Sequence, residues 1–259
     1  MSDLRERVAG QALMEKLISY RGTKDMRDLP LGIVWISNEI VSWWRGVRGE
    51  LDMARELDAL GTDWTVLHSI PVGDRGSDID HVVIGPPGVF PINSKRITSG
   101  RDVRVVDDDF RVDGRRQKYL RNAQFEGERI EAILRSAHLR APIVPLIAIS
   151  GTKSIRVRRP RCGNWNIGVE RVDRVVRRIR KRQARITPSE VSKISEVLMN
   201  PSVWTRRATE NADPAALRAE FRRIDRGIRR WNLALFSAIS VGFLALCLGA
   251  SMAWTAIFL

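Results

Sequence analysis

The chain has 259 residues, of which 44% are apolar and 29% charged, so its composition is that of a folded protein rather than a disordered one. Its 44 basic residues outnumber 30 acidic ones. The resulting net charge of +14 indicates a polyanionic partner such as nucleic acid or anionic lipid. Two cysteines, Cys162 and Cys247, exclude a disulfide scaffold and a cysteine-based zinc site.

The first half of the chain predicts helices on either side of a run of strands. Residues 3–20 have helical periodicity, residues 21–30 form a polar connection, and a second helix over residues 47–60 ends at Gly61. Short segments rich in Val and Ile then predict strands at 64–70, 78–84, 88–95, 103–106 and 110–112. A long helical pattern covers residues 115–138 and precedes an apolar strand at 142–150.

The second half predicts further strands at 155–157 and 165–167, and a helix at 172–182. Another helix starts at Pro188 with Thr187 as its N-cap, and Asp213 caps a last helix that leads into the C-terminal segment. Helices, a strand meander, and then a helix and a strand predict an α/β fold with a mixed central sheet flanked by helices.

Positive charge is concentrated in one part of the chain. Residues 140–185 hold 14 basic side chains against only Glu170 and Asp173. The helix at 172–182 has an apolar stripe to bury and a basic outer face, which is suited to phosphates. An anionic lipid surface is the other partner that these basic residues could bind. The candidate nucleic-acid-binding residues are Arg156, Arg158, Arg174, Arg177, Arg178 and Lys181.

The C-terminal segment predicts a membrane span. Residues 231–259 contain no charged residue, and about 20 apolar residues are enough to cross a bilayer. Trp231 and Trp254 are spaced so that one lies at each of the two membrane–water interfaces, where tryptophan is enriched. Six arginines within 218–230 precede the span, and none follows it. The sequence therefore predicts a tail-anchored, single-pass protein of the cell membrane whose N-terminal part is cytoplasmic and lacks a signal peptide.

A Gly-Pro-Pro-Gly turn joins two strands of the first half into a predicted hairpin. A symmetric turn places Ile84 opposite Val89 and Asp80 opposite Asn93, with Lys95 on the same face of the sheet as Asn93. We therefore expect a buried pair of Asp80 and Lys95. Spacing alone leaves open whether these two side chains only neutralise each other or take part in chemistry.

Four sequence blocks extend this pattern: WRGVRGE at 44–50, WTVLH at 64–68, DIDHVVIGP at 78–86 and GVFPINSK at 88–95. Their series, over about residues 44–150, resembles the nuclease-related domain (NERD) of the PD-(D/E)xK nuclease-like superfamily. The resemblance implies a restriction-endonuclease-like fold with a helix bearing Glu50, a sheet bearing Asp80, Asn93 and Lys95, and a helix bearing Gln117. We expect Glu50 to be exposed beside the buried pair of Asp80 and Lys95.

The same resemblance implies that Glu50, Asp80, Asn93, Lys95 and Gln117 form a catalytic site. Mg²⁺ would be bound by Asp80 and Asn93, and by Glu50 through water, to polarise a phosphodiester and lower the pKa of a bound water. Asn93 stands where the family usually has glutamate, and a neutral amide is a weaker ligand than a carboxylate.

Two functions follow from these residues. One is a membrane-tethered, Mg²⁺-dependent nuclease that hydrolyses DNA at the cytoplasmic face. The alternative is a catalytically impaired nuclease fold that acts as a membrane-anchored adaptor, binding nucleic acid or a protein. The predicted division of the chain is an N-terminal helical extension (1–40), the nuclease-related core (41–150), a basic part (151–200), a linker with a basic juxtamembrane helix (201–230) and the span (231–259).

Overall fold

The computed structural model describes residues 4–72, 78–98, 100–204 and 213–258, apart from the side chains of residue 239 and residues 241–258. The helices are α1 (Gln11–Ile18), α2 (Val41–Leu57), α3 (Tyr119–Ser136), α4 (Val172–Arg180), α5 (Pro188–Met199) and α6 (Pro214–Phe258). The longer strands are β1 (Met26–Leu29), β2 (Ile33–Ile36), β3 (Thr65–Pro71), β4 (Asp78–Gly85), β5 (Gly88–Arg96), β6 (Asp102–Val106), β7 (Asp109–Val112), β8 (Arg115–Gln117), β9 (Leu146–Ser150) and β10 (Ser154–Arg158). Three short strands follow: β11 (Arg161–Cys162), β12 (Trp165–Asn166) and β13 (Gly168–Arg171).

The central sheet has the strand order β13-β9-β5-β4-β3. Strands β3, β4 and β5 run antiparallel, whereas β9 is parallel to β5 and β13 is parallel to β9. The predicted mixed sheet is therefore confirmed. The hairpin register is confirmed as well, because Ile84 pairs with Val89 and His81 with Ile92. Continued by one residue, this register sets Asp80 opposite Asn93.

Helices cover both faces of the central sheet, because successive side chains of a strand point to opposite sides. Phe90 packs with Met53 of α2 and Val175 of α4 in one core cluster. Its neighbour Val89 packs on the other side, with Ile130 of α3 and with side chains of α5. The result is a three-layer α/β arrangement in which α2 and α3 approach β5 from opposite faces.

A second sheet, with the order β10-β6-β7-β8, packs beside α3. The turn between β7 and β8 is made by Asp113 (φ 46°) and Gly114 (φ 76°), the Asp-Gly pair that a two-residue hairpin turn favours. The helical prediction for residues 115–138 is therefore wrong at its start, since the helix begins at Tyr119. Gln117 lies on strand β8 and not on a helix.

The N-terminal part of the chain packs against the beginning of α6. The predicted polar connection at 21–30 contains strand β1, which pairs with β2 in an antiparallel ladder. The first four turns of α6 bury one apolar stripe in the same cluster as α1, β2 and the start of α2. The buried side chains of this stripe are Leu217, Phe221, Ile224 and Ile228.

Polar contacts fix the docking of α6 onto α2. The indole Nε1 of Trp44 donates to Asp225 Oδ1 at 2.8 Å. Within α6, Arg229 Nε lies 2.9 Å from Asp225 Oδ2 and orients this carboxylate. Arg48 of α2 is 3.9 Å from the same carboxylate. The juxtamembrane helix that the sequence predicts is thus part of the folded body of the protein over residues 214–230.

The membrane span predicted at 231–259 is not supported. Within the described part of the chain, no helix combines the length and the apolar character that a bilayer crossing requires. Helix α6 continues to Phe258, but most side chains of the predicted span lie outside the described residues. Residues 205–212 of the predicted linker also lie outside them.

Candidate functional site

One cavity of about 960 Å³ brings the five predicted catalytic residues together. Its walls include Glu50 from α2, Asp80 from β4, Asn93 and Lys95 from β5, and Gln117 from β8. Asp80, Asn93 and Lys95 share one face of the central sheet, because the hairpin pairs β4 with β5 in this register and successive side chains of a strand point to opposite faces. The sheet thus places an acid, an amide and an amine around a single space.

Asp80 is held by the backbone of the opposite strand. Its Oδ2 accepts a hydrogen bond from the Ser94 amide at 2.6 Å. Burial raises the pKa of the Asp80 carboxyl, while the Lys95 ammonium and the Ser94 N–H lower it. Lys95 Nζ lies 5.4 Å from the centroid of the Tyr119 ring, so its charge is held between an aromatic face and the Asp80 side of the cavity.

Glu50 is buried, with 5% of its surface exposed, so the expectation of an exposed glutamate is wrong. Helix α2 can pack closely on β5 because Gly49 leaves room: a Cβ there would lie 3.2 Å from the Cβ of Arg96. Glu50 Oε2 accepts a hydrogen bond from the Gly10 amide at 2.9 Å. Burial raises the pKa of Glu50 well above its usual value, the charge of Asp80 adds to this, and the Gly10 N–H opposes it.

The N-terminal extension therefore forms part of the site wall, which the sequence does not indicate. Gly10 has φ 76°, a left-handed conformation that glycine adopts without strain, and this turn directs its amide toward Glu50. Arg7 donates from Nε to the Ser69 carbonyl at 2.7 Å and lies 3.6 Å from Asp78 Oδ2. Burial raises the pKa of Asp78 to about 7, while Arg7 lowers it.

A further acid in the cavity, Glu126 of α3, is absent from the sequence-based set. Asn93 Nδ2 donates to Glu126 Oε1 at 2.5 Å, and both residues are 5% exposed. Burial, helped by the charge of Asp80 and opposed by the hydrogen bond from Asn93, raises the pKa of Glu126 to about 8. A signal was available, because Glu126 lies three residues after Ala123 and four before Ile130, on the buried stripe of α3.

Two oxygen atoms of this pair lack a partner. Asn93 Oδ1 and Glu126 Oε2 are buried and accept no hydrogen bond from the described residues. Buried polar atoms of this kind are costly unless something satisfies them, and oxygen atoms are the ligands that Mg²⁺ prefers. Among the described residues, no group of three or more His, Cys, Asp and Glu side chains is close enough to hold a metal ion. A metal here would thus need amide as well as carboxylate oxygens, and the residues present fit that requirement.

Residues 45–150 match the family model of the nuclease-related domain, NERD. The match confirms the domain that the sequence blocks suggested over about residues 44–150. No curated protein and no solved structure matches the chain. The likeness to restriction endonucleases therefore stays a prediction, while the α/β architecture is observed. Four acids among the described residues line the cavity, and all of them fall within the nuclease-related domain: Glu50, Asp78, Asp80 and Glu126.

Gln117 and a set of arginines complete the cavity walls of the nuclease-related domain. Gln117 Nε2 donates to the carbonyl of Arg115 at 3.1 Å, which turns the side chain along its own strand. Sequence reasoning missed the arginines because they are spread over several elements and carry no motif. They are Arg45, Arg96, Arg101, Arg115 and Arg121.

The predicted basic surface lies on α4 and β10, outside the matched domain. Val175, Val176 and Ile179 are buried, so the predicted apolar stripe of α4 is confirmed and its cations face outward. All six candidate nucleic-acid-binding residues are exposed. Two of them are near acids: Arg178 Nη1 lies 3.4 Å from Glu170 Oε2, and Arg158 Nη2 lies 4.0 Å from Asp107 Oδ2.

Two histidines lie under the site, on the opposite face of β4 from Asp80. His68 Nδ1 and His81 Nδ1 are 2.8 Å apart, and His81 Nε2 is 3.1 Å from Ser94 Oγ. These contacts lie within the fold and give both rings a structural role. Burial lowers the pKa of His68 to about 4 and that of His81 well below its usual value. Both rings are therefore neutral at pH 7, and His81 supports Ser94, whose amide donates to Asp80.

Proposed function

We propose that the protein is a metal-dependent nuclease that hydrolyses phosphodiester bonds in DNA. The observation that carries the proposal is the cavity of the nuclease-related domain, where Asp80 and Lys95 lie beside a buried amide oxygen without a partner. This combination fits a divalent cation and a phosphate group better than it fits a purely structural ion pair.

The chain's own residues have distinct parts in this chemistry. Asp80 and Asn93 would hold Mg²⁺, with Glu50 acting through water, and the bound ion would supply Lewis acidity and a more acidic water. The Lys95 ammonium neutralises charge that develops on the phosphate as the bond breaks. The hydrogen bond from the Ser94 amide keeps the Asp80 carboxylate in place during the reaction.

Two basic regions support DNA as the substrate. Arginines line the cavity walls, where they can bind the phosphates on either side of the cleaved bond. The exposed cations of α4 provide a second, sequence-independent contact with the DNA backbone. Phosphate contacts of this kind position a duplex but carry no sequence information, so we propose cleavage without strong sequence preference.

A second candidate function is an adaptor that binds nucleic acid or a protein without cleaving it. It is favoured by Asn93, which replaces the family's usual glutamate with a neutral ligand. It is also favoured by the burial of Glu50, whose carboxylate accepts a hydrogen bond from Gly10. In this alternative the cavity stabilises the fold around a binding surface.

Tethering at the cytoplasmic face of the cell membrane is a separate proposal, supported by sequence alone. It depends on the absence of charge in residues 231–259 and on the six arginines that precede them. Protease treatment of inverted and right-side-out vesicles tests it. An N-terminal domain that is protected in inverted vesicles would contradict the proposal.

A cleavage assay on the full chain with Mg²⁺ or Mn²⁺ tests the nuclease. We expect Asp80→Ala and Lys95→Ala each to abolish hydrolysis of duplex DNA. The matched controls Asp63→Ala and Lys193→Ala change exposed residues outside the cavity and should retain activity. Cleavage without a metal ion, or equal cleavage by Asp80→Ala and the original protein, would contradict the proposal of a metal-dependent nuclease that uses Asp80. Tight DNA binding without any cleavage would favour the adaptor.

A further inference from the structure

The acid missing from strand β5 has a counterpart on helix α3. Position 93 is where the resemblance places a second metal-binding carboxylate, and this chain has an amide there. Glu126 reaches the same point from the opposite element, with its Oε1 2.5 Å from Asn93 Nδ2. Glu126 therefore places one carboxyl group beside position 93, as a glutamate at that position of the strand would do.

The hydrogen bond between the two side chains fixes which atoms remain for a ligand. Asn93 Nδ2 donates to Glu126 Oε1, so the amide turns its nitrogen toward the acid. This leaves Asn93 Oδ1 and Glu126 Oε2, both buried and both without a partner among the described residues. Glu126 also forms no ion pair with any described residue that would explain a buried carboxylate.

We propose that Glu126 is the second carboxylate ligand of the metal site, with Asn93 contributing its amide oxygen. This inference rests on the proposed metal-dependent function. Mg²⁺ is commonly bound by one or two carboxylates, with neutral oxygens and waters completing its shell. A bound cation favours the ionised forms of Asp80 and Glu126. In those forms the two side chains supply two negative charges, so the charge lost by having asparagine at position 93 is restored from α3.

A purely structural role for Glu126 makes a different prediction. If Glu126 only accepts the Asn93 hydrogen bond, Glu126→Gln keeps an acceptor oxygen at that place and metal affinity should not change. If Glu126 is a ligand, the same near-isosteric substitution removes a charge from the ion. Metal affinity, measured without any reaction, therefore separates the two roles.

The experiment is calorimetric titration of Mg²⁺ and Mn²⁺ into the full chain. We expect Glu126→Gln to weaken binding by at least about tenfold, because a negatively charged ligand is replaced by a neutral one of the same shape. The matched control is Glu128→Gln, two residues along the same helix on its exposed side, which should bind like the original protein. Thermal melting without metal checks folding, and Glu126→Gln should melt no lower because it removes a buried acid.

A double variant tests whether the carboxylate can return to the strand. Asn93→Glu combined with Glu126→Gln exchanges the acid and the amide, and we expect it to regain most of the lost affinity. Unchanged binding by Glu126→Gln, with binding lost in Asp80→Asn, would overturn the role of Glu126 and leave the metal-dependent function standing. No binding by the original protein would overturn both. A loss in Glu126→Gln that the exchange does not restore would also count against Glu126 as a ligand.

Discussion

Acidification should destabilise the protein through the buried histidine pair of β3 and β4. His68 and His81 share one hydrogen bond between their Nδ1 atoms at 2.8 Å, in which one Nδ1 donates and the other must be unprotonated to accept. Burial lowers the pKa of His68 from 6.5 to about 4; Arg218 acts in the same direction and Asp58 against it. The unfolded chain therefore takes up protons at a pH where the folded protein does not.

The sign and size of the effect follow from this difference. Stability is fully present above pH 6.5 and is lost as the pH falls toward 4, because protons bind the unfolded state first. For His68 alone, the loss between pH 7 and pH 4.5 amounts to about 2 kcal/mol. His81 is shifted in the same direction and adds to the loss. Asp78 and Glu126 have raised pKa values and oppose it, so a comparison between variants is needed.

The assay is urea unfolding at pH 7 and pH 4.5 for the original protein and for His68→Asn. Asparagine can keep a hydrogen bond near the Nδ1 position but does not titrate, so the variant should lose about 2 kcal/mol less on acidification. His138→Asn is the control, because His138 is exposed and has φ 56°, which asparagine tolerates. Equal losses for the original protein and His68→Asn would refute the reasoning that the buried ring stays neutral.

Two further predictions concern the surface and the docked helix. DNA binding should weaken with salt at a slope of log K against log salt near about −5 if about six phosphates are neutralised. Reversal of Arg174, Arg177 and Lys181 to glutamate should weaken binding and reduce the slope, as measured by fluorescence anisotropy; an unchanged slope would exclude α4. Trp44→Phe removes the donor to Asp225 and should lower the free energy of unfolding by about 1.5–3 kcal/mol, as measured in urea; no change would mean that this contact does not hold α6.

Local patterns were enough to predict the hairpin that carries the site. A turn of glycines and prolines fixed the pairing of Ile84 with Val89, and alternation then placed Asp80, Asn93 and Lys95 on one face. Both steps depend on residues close in sequence, whose geometry is set by the backbone alone. The family model matches residues 45–150, a range that includes this hairpin.

The missed parts of the site depend on contacts between distant segments. Gly10 and Glu50 are 40 residues apart in the sequence, and no local pattern at either position predicts their contact. Glu126 lies 33 residues from Asn93, but its place on the buried stripe of α3 could have identified it as an acid in need of a partner. The Asp113-Gly114 pair is likewise a sequence signal for a hairpin turn, and it predicts that Gln117 lies on a strand rather than on a helix.

The packing of α1 and β2 against α6 has a consequence for biosynthesis. The ribosome delivers α1 and β2 first, but some of the side chains that cover their apolar faces belong to α6, which follows much later in the sequence. Until residue 228 has emerged, these faces are incompletely covered and are open to water or to a chaperone. The Gly10 amide that binds Glu50 lies between Val8 and Met14 of the same cluster, so this wall of the cavity gains its full packing only after the first turns of α6 have been made.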